Sequence, residues 1–261
     1  MKTKFLHIAT ALLFAGFTSS CSDFLDRYPL DELSDSSFWK TENDAMMAVT
    51  DIYGCLPTWD QDEDINSDNA VHGIKWAAGN ISKGIYDPMD QSWAGSYTPI
   101  RQCNLVLEKV KDIEMSDESR KKIEGQAYFF RAFVYFNLIR SFGDVPYIDK
   151  PLNLTDVEDI TRTPREEVYA KVMADFDKAI EYLPEEWDAA NTPRVTKGAA
   201  LAMKARAALY YSNWQVAADA SKAVIDLGKY ELYDAGNTGK YQELFWEKSD
   251  GCDEYKLARK Q

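Results

Sequence analysis

Apolar side chains return along most of this chain at intervals of three and four residues, the spacing that lines one face of an α-helix. "KTENDAMMAVTDIYGCLP" shows it first. Ala45, Met46, Val49, Ile52 and Tyr53 share a face, Thr41 stands as N-cap with Asp44 three residues on, and Gly54 and Pro57 end the run. From Trp59 to about Gln91 the period gives way to Asp, Asn, Gly and single aromatics, which reads as a long irregular loop, functional or disordered. Helical spacing resumes in "SWAGSYTPIRQCNLVLEKVKDI".

The densest run, "AYFFRAFVYFNLIRSFGDVP", places Tyr128, Phe129, Phe130, Phe133, Tyr135, Phe136 and Phe142 on several sides of one helix, more than a single apolar stripe holds. Such a rod must be wrapped. A bilayer is excluded because Arg131, Asn137 and Arg140 interrupt the run, which falls short of the roughly 20 apolar residues a span needs. Other helices are the expected cover. "TPREEVYAKVMADFDKAIEYLP" supplies one, with Thr163 as cap, Pro164 as first helical residue, Glu166 closing a capping box and a stripe of Val168, Val172, Phe176, Ile180 and Leu183.

"TKGAALAMKARAALYY", a "SNW" turn and "QVAADASKAVIDLG" read as two helices rich in small residues joined tightly, as in a tetratricopeptide-type hairpin. Ala205 takes the small site of the first helix, Trp214 the turn aromatic, and Ala217 and Val224 the small and apolar sites of the second, while Lys204 departs from the usual Leu. Tyr128, Ala132 and Tyr135 match the first helix of another repeat and Val172, Phe176, Ala179 and Pro184 its second, with a loop inserted between them. The expected fold is all-α, a tetratricopeptide-like helical-hairpin array with a long irregular loop near the N-terminus. The helices at 163–183 and 194–228, with the one ending near Ile113, are expected to wrap the ring-dense rod.

Composition narrows the function. The 261 residues are 45% hydrophobic and 28% charged, ordinary for a folded domain, and the formal charge of −13 argues against a nucleic-acid partner. Residues 1–20 read as an export signal: Lys2 and Lys4, an apolar stretch from Ile8 to Phe17, then Thr18-Ser19-Ser20. Cys21 follows at once, so "FTSSC" resembles a lipobox with Cys21 as the lipid-modified residue, although Thr18 replaces the usual Leu. Residues 21–40 then form a lipid-anchored lead-in, 41–245 the helical domain and 246–261 a divergent tail. Cys55, Cys103 and Cys252 offer no C-x-x-C pair; Cys55 and Cys103 are either a disulfide or two buried free thiols.

Catalytic motifs are missing: the sequence holds no G-x-S-x-G, H-E-x-x-H or P-loop, and His72 is the sole histidine after the signal. We expect no enzyme, no cofactor and no metal. Asp60, Asp62 and Asp64 imitate the start of an EF-hand, but Ile65 stands at the required glycine and Val71 at the twelfth position. The chemistry concentrates instead in Trp59, Trp76, Tyr86, Trp93 and Tyr97, set among Asp68, Asn69, Asn80, Asp87, Asp90 and Asn104. Flat rings suit the C–H faces of a sugar, and amides and carboxylates suit its hydroxyls. The alternative is that the rings pin the loop to the helices beneath. Asp68, Asn69, Trp76, Asn80, Trp93 and Tyr97 are the candidate ligand-binding residues.

Several stretches together resemble the SusD/RagB family of nutrient-binding outer-membrane lipoproteins. They are "CSDFLDRYPLDELSDSSFWKTENDAMMAVTDIY", "IRQCNLVLEKV", "GQAYFFRAFVYFNLIRSFGDVPYI", "TPREEVYAKVMADFDKAIEYLP" and "RVTKGAALAMKARAALYYSNWQVAADASKAVIDLGKYEL", covering nearly all of 21–245. The resemblance implies a tetratricopeptide-containing protein tethered by Cys21 at the outer-membrane surface. It would capture oligosaccharide for a SusC-like TonB-dependent transporter, without catalysis. A transporter-gripping scaffold with no glycan affinity is the competing expectation. "YQELFWEKSDGCDE" resembles the lead into the C-terminal half of family members, yet "YKLARKQ" follows, so a shortened product is expected.

Overall fold

A computed structural model describes residues 38–56, 91–157, 159–191 and 193–231. The chain divides into two compact units, Met1–Trp39 and Lys40–Gln261. Of the first, only Phe38 and Trp39 are described, with their rings edge to face at 5.2 Å. Among its described residues the second holds six α-helices: α1 (Glu42–Ile52), α2 (Gln91–Lys109), α3 (Asp117–Phe142), α4 (Arg165–Tyr182), α5 (Lys197–Tyr210) and α6 (Trp214–Asp226). Among the described residues the only extended pairing is one antiparallel bridge between Val145 and Thr163, and no helix is long and apolar enough to cross a membrane. The expected all-α hairpin array is the observed architecture.

Local chemistry sets the helix ends. Asp44 N–H donates to the Thr41 hydroxyl at 3.3 Å and the Asp44 carboxylate accepts from Thr41 N–H at 2.8 Å, the reciprocal box read from the sequence. Ser116 caps α3, accepting from Ser119 N–H at 3.0 Å, and Gly143 ends it at φ +70°, a conformation that costs glycine nothing. α4 departs from expectation. Thr163 is not its cap: Val145 N–H donates to the Thr163 carbonyl at 3.2 Å and Thr163 N–H returns a bond at 2.9 Å, which holds that residue extended. Pro164 takes the N-cap position, the helix starts at Arg165, and the Asp144 carboxylate, brought in by the bridge, accepts from Arg165 N–H at 2.9 Å. Glu166 pairs with Arg165 at 2.8 Å rather than closing a box.

α3 is the central rod. Phe129, Phe130, Tyr135 and Phe136 are fully buried along it. Phe129 meets Phe130 at 5.3 Å, Phe133 at 6.3 Å and Phe176 of α4 at 6.1 Å, and Tyr53 packs edge-on against Phe130 at 4.5 Å. Burying each such ring stabilises the fold by about 1.5–3 kcal/mol. Gly125 lets α4 approach: a Cβ there would sit 3.0 Å from Tyr182 Cβ and 3.1 Å from Leu183 Cγ. The wrapping differs from expectation in one respect. α4 and α2 cover most of the rod and α1 a further side, whereas the α5–α6 hairpin packs chiefly on itself and on α4. It reaches the rod lightly, through Tyr210 against Phe136 at 5.4 Å. Alanines draw α5 and α6 together, so their larger side chains face outward: Leu209, Tyr210, Trp214 and Ile225 are exposed, and Trp214 does not act as a packed turn aromatic.

Two polar knots lock these helices in register. Arg131 on α3 and Asp175 on α4, each 6% exposed, form a bidentate pair with both bonds 2.7 Å long, and Arg131 also donates to Asn104 Oδ1 of α2 at 2.8 Å. Burial works against the guanidinium charge, but the Asp175 hydrogen bonds and charge outweigh it and hold Arg131 more firmly protonated than usual. The second knot joins α1, α3 and the α4–α5 connector. The Tyr53 hydroxyl donates to Gln126 Oε1 at 2.9 Å and accepts from Val195 N–H at 2.9 Å, and burial pushes it up to about 12.

Removing one partner of a buried ion pair strands the other charge, so Asp175→Ala is expected to cost about 3–5 kcal/mol. The double change Arg131→Met with Asp175→Leu should recover most of that loss. Urea unfolding followed by circular dichroism checks both.

Candidate functional site

Asp68, Asn69, Trp76 and Asn80 lie outside the described residues, as do Trp59, Tyr86, Asp87, Asp90 and the Cys21 anchor position. Trp93 and Tyr97 stand on the first turns of α2, four residues apart and hence on one face. The Trp93 ring meets Tyr97 at 5.9 Å and stands perpendicular to the Phe142 ring at 5.1 Å, and the Arg162 guanidinium lies over it at 5.1 Å. Tyr97 donates its hydroxyl to the Pro146 carbonyl at 3.0 Å, and burial pushes it up to about 12 against the opposing pull of Arg162. Both rings therefore pin α2 to the α3–α4 connection. Trp93 is nonetheless only half-buried, so part of its surface is open to solvent.

Asn104, grouped by sequence with the polar ligand-binding set, belongs to the core. It is 1% exposed, donates to the Ile148 carbonyl at 2.9 Å and accepts from Arg131. The Tyr135 hydroxyl donates to the same carbonyl at 3.1 Å and accepts from Ile148 N–H at 2.6 Å. This anchorage fixes the connection on which Trp93 and Tyr97 rest. Among the described residues no group of three or more His, Cys, Asp or Glu side chains is placed to hold a metal.

On another face of α2 a cleft of about 350 Å³ opens between α1, α2 and α3. Gly54 and Cys55, which precede segment 57–90, line it together with Gly95 and Ser96, which follow that segment. Asp51, Thr98, Gln102 and Asn137 add polar groups, and Phe133 adds a ring. Gln102 Nε2 donates to the Asp51 carboxylate and ties α2 to α1. Pro99 lies inside α2 and has no amide to offer the Gly95 carbonyl one turn earlier, so that carbonyl loses its helical donor at the cleft wall. Sequence reasoning took Asn137 for an interruption of an apolar run and Phe133 for core. Their i, i+4 spacing was the available signal.

Cys55 and Cys103 are free thiols, half-buried and buried respectively. Burial pushes Cys55 up to about 12 and Cys103 well above the ordinary thiol range, so both remain un-ionised at neutral pH. Treatment of the native protein with iodoacetamide at pH 8, followed by peptide mapping, should leave Cys103 unlabelled and Cys55 slow. Both should react fully in urea.

The architecture defines an all-α protein of stacked helical hairpins with an aromatic cluster and a polar cleft at one end of α2. A family model described as "Starch-binding associating with outer membrane" matches residues 24–209, and the chain belongs to this SusD-like family. It is 29% identical to SusD-like protein P2 of Formosa agariphila over 86% of this chain and 46% of that protein. It is 26% identical to a SusD-like protein of Bacteroides ovatus over 99% of this chain and 50% of that protein. Among solved structures, a SusD-like protein from Bacteroides fragilis superposes with a TM-score of 0.75 at 28% identity, over 85% of this chain and 45% of that one. A laminarin-binding SusD-like protein superposes at 0.70 with 23% identity, over 79% of this chain and 49% of that one. Surface glycan-binding protein A of Bacteroides fluxus follows at 0.68 with 21% identity, over 82% and 49%. The chain spans about half the length of the curated relatives it matches.

Proposed function

We propose that this chain binds glycans at the outer membrane, anchored through Cys21, and presents oligosaccharide to a SusC-like TonB-dependent transporter without altering it. The observation that carries this reading is Trp93. Its indole is braced by Phe142, Tyr97 and Arg162 and yet keeps part of its surface open, so it offers a fixed contact surface whose ordering cost is already met. Asp68, Asn69, Trp76 and Asn80 complete the proposed binding set, with amides and a carboxylate for sugar hydroxyls. Family membership and the glycan-binding names of two structural neighbours support the class of ligand.

In native affinity gels containing laminarin or starch, the mature full chain should be retarded by at least one polysaccharide. Trp93→Ala should weaken that retardation about tenfold, the effect of losing one stacking platform and its ordered contacts. Retardation equal to wild type would move the ligand site away from Trp93.

A second reading rests on the exposed outer face of the last hairpin. Leu209, Tyr210, Trp214 and Ile225 suit a protein contact, the role of a transporter-gripping scaffold without its own glycan affinity. Co-purification of the chain with a membrane barrel, lost in Trp214→Ser with Ile225→Ser, together with no gel retardation, would favour it.

A further inference from the structure

We propose that the cleft between α1, α2 and α3 is a second subsite, taking one neutral sugar residue of a bound oligosaccharide; this assignment rests on the glycan-binding reading above. Its volume of about 350 Å³ lies at the small end of the range in which ligand sites fall, about 300–1,000 Å³. The chemistry of its walls selects the ligand.

Among the described residues no Lys or Arg lines the cleft, and the one charge there is the Asp51 carboxylate, so a phosphate or a uronic acid would meet repulsion from it and no counter-charge from them. A lone carboxylate is also too little for a cation site, where several oxygen ligands converge. An apolar ligand would strand the amide of Asn137, which has no hydrogen-bond partner among the described residues, and the Gly95 carbonyl, whose helical donor Pro99 removes. What remains is a compact molecule that both donates and accepts hydrogen bonds around its rim and has an apolar face.

A pyranose fits that description. Its hydroxyls can donate to the Asp51 carboxylate and the Gly95 carbonyl, and can both donate to and accept from the Asn137 amide. Phe133 supplies the apolar contact. One side of its ring lies parallel to Phe129, at 6.3 Å and 11°, so the ring is held in place where it borders the cleft. The wall is also set in advance, because the Gln102 bond orients Asp51 before any ligand arrives.

Gly54 and Gly95 supply the test. A Cβ built on either meets nothing within 4 Å, so a side chain at Gly95 projects into open space and narrows the cleft without crowding the core. Isothermal titration calorimetry on the mature full chain would use hexasaccharides of β-1,3-glucan, α-1,4-glucan, xylan and mannan as probes. For any probe that wild type binds, Gly95→Leu and Asn137→Ala should each weaken binding about tenfold, with the melting curve by circular dichroism unchanged. If Gly95→Leu fails to fold, Asn137→Ala alone carries the test, since that half-buried amide has no partner among the described residues to lose. Wild-type affinity in the cleft variants, alongside weakened binding by Trp93→Ala, would overturn the cleft assignment and leave the glycan reading standing. Wild type binding none of the four probes would overturn both.

Discussion

The bidentate contact between Arg131 and Asp175 is the constraint on which the rest of the described structure depends. A buried guanidinium tolerates few geometries, because every N–H it turns inward needs an acceptor. Asp175 and Asn104 supply those acceptors from two different helices, so α2, α3 and α4 can slide past one another only by breaking charge-assisted bonds. Ring packing around Phe129 provides the bulk of the burial energy, yet apolar contacts alone would allow neighbouring registers. The ion pair selects one of them, and that choice places Trp93 against Phe142 and Tyr97 against Pro146.

How far the sequence alone reveals this arrangement differs from one feature to the next, and the divide is one of distance along the chain. The box of Thr41 and Asp44 was legible because its parts lie three residues apart and the backbone itself brings them together. The need to wrap α3 was legible from its rings alone. Arg131, in contrast, reads as a mere interruption of an apolar run, because its partner lies 44 residues away. The start of α4 was misread for the same reason. Thr163 has the right chemistry for a cap, but a bridge to Val145, 18 residues earlier, claims its backbone first and hands the capping role to Asp144.

The candidate site divides along the same line. The value of Trp93 and Tyr97 was visible as aromatics in a polar context, whereas their bracing by Arg162 and Phe142 was not, because those groups lie far from them along the chain. Asn104 shows the opposite error. Near the aromatic cluster in sequence, its amide faces the core and is spent on Arg131 and Ile148. Residue type could not separate a ligand-binding amide from a structural one; burial and a full set of partners do.

The Val145–Thr163 bridge has a consequence for how the molecule can change. Two backbone bonds pinch the chain where it leaves α3 and again where it enters α4, so the stretch between behaves as a purse drawn shut at its neck. Near the neck, Ile148 and Lys150 are stitched to Tyr135 and Asn104; beyond them runs the stretch from Pro151 to Ile160. Insertions there would lengthen the purse without moving its clasp, at an entropic cost that grows only with the logarithm of length. The helix pair beneath is thereby insulated, and new surface can be tailored beside Trp93 while the frame that aims it stays fixed.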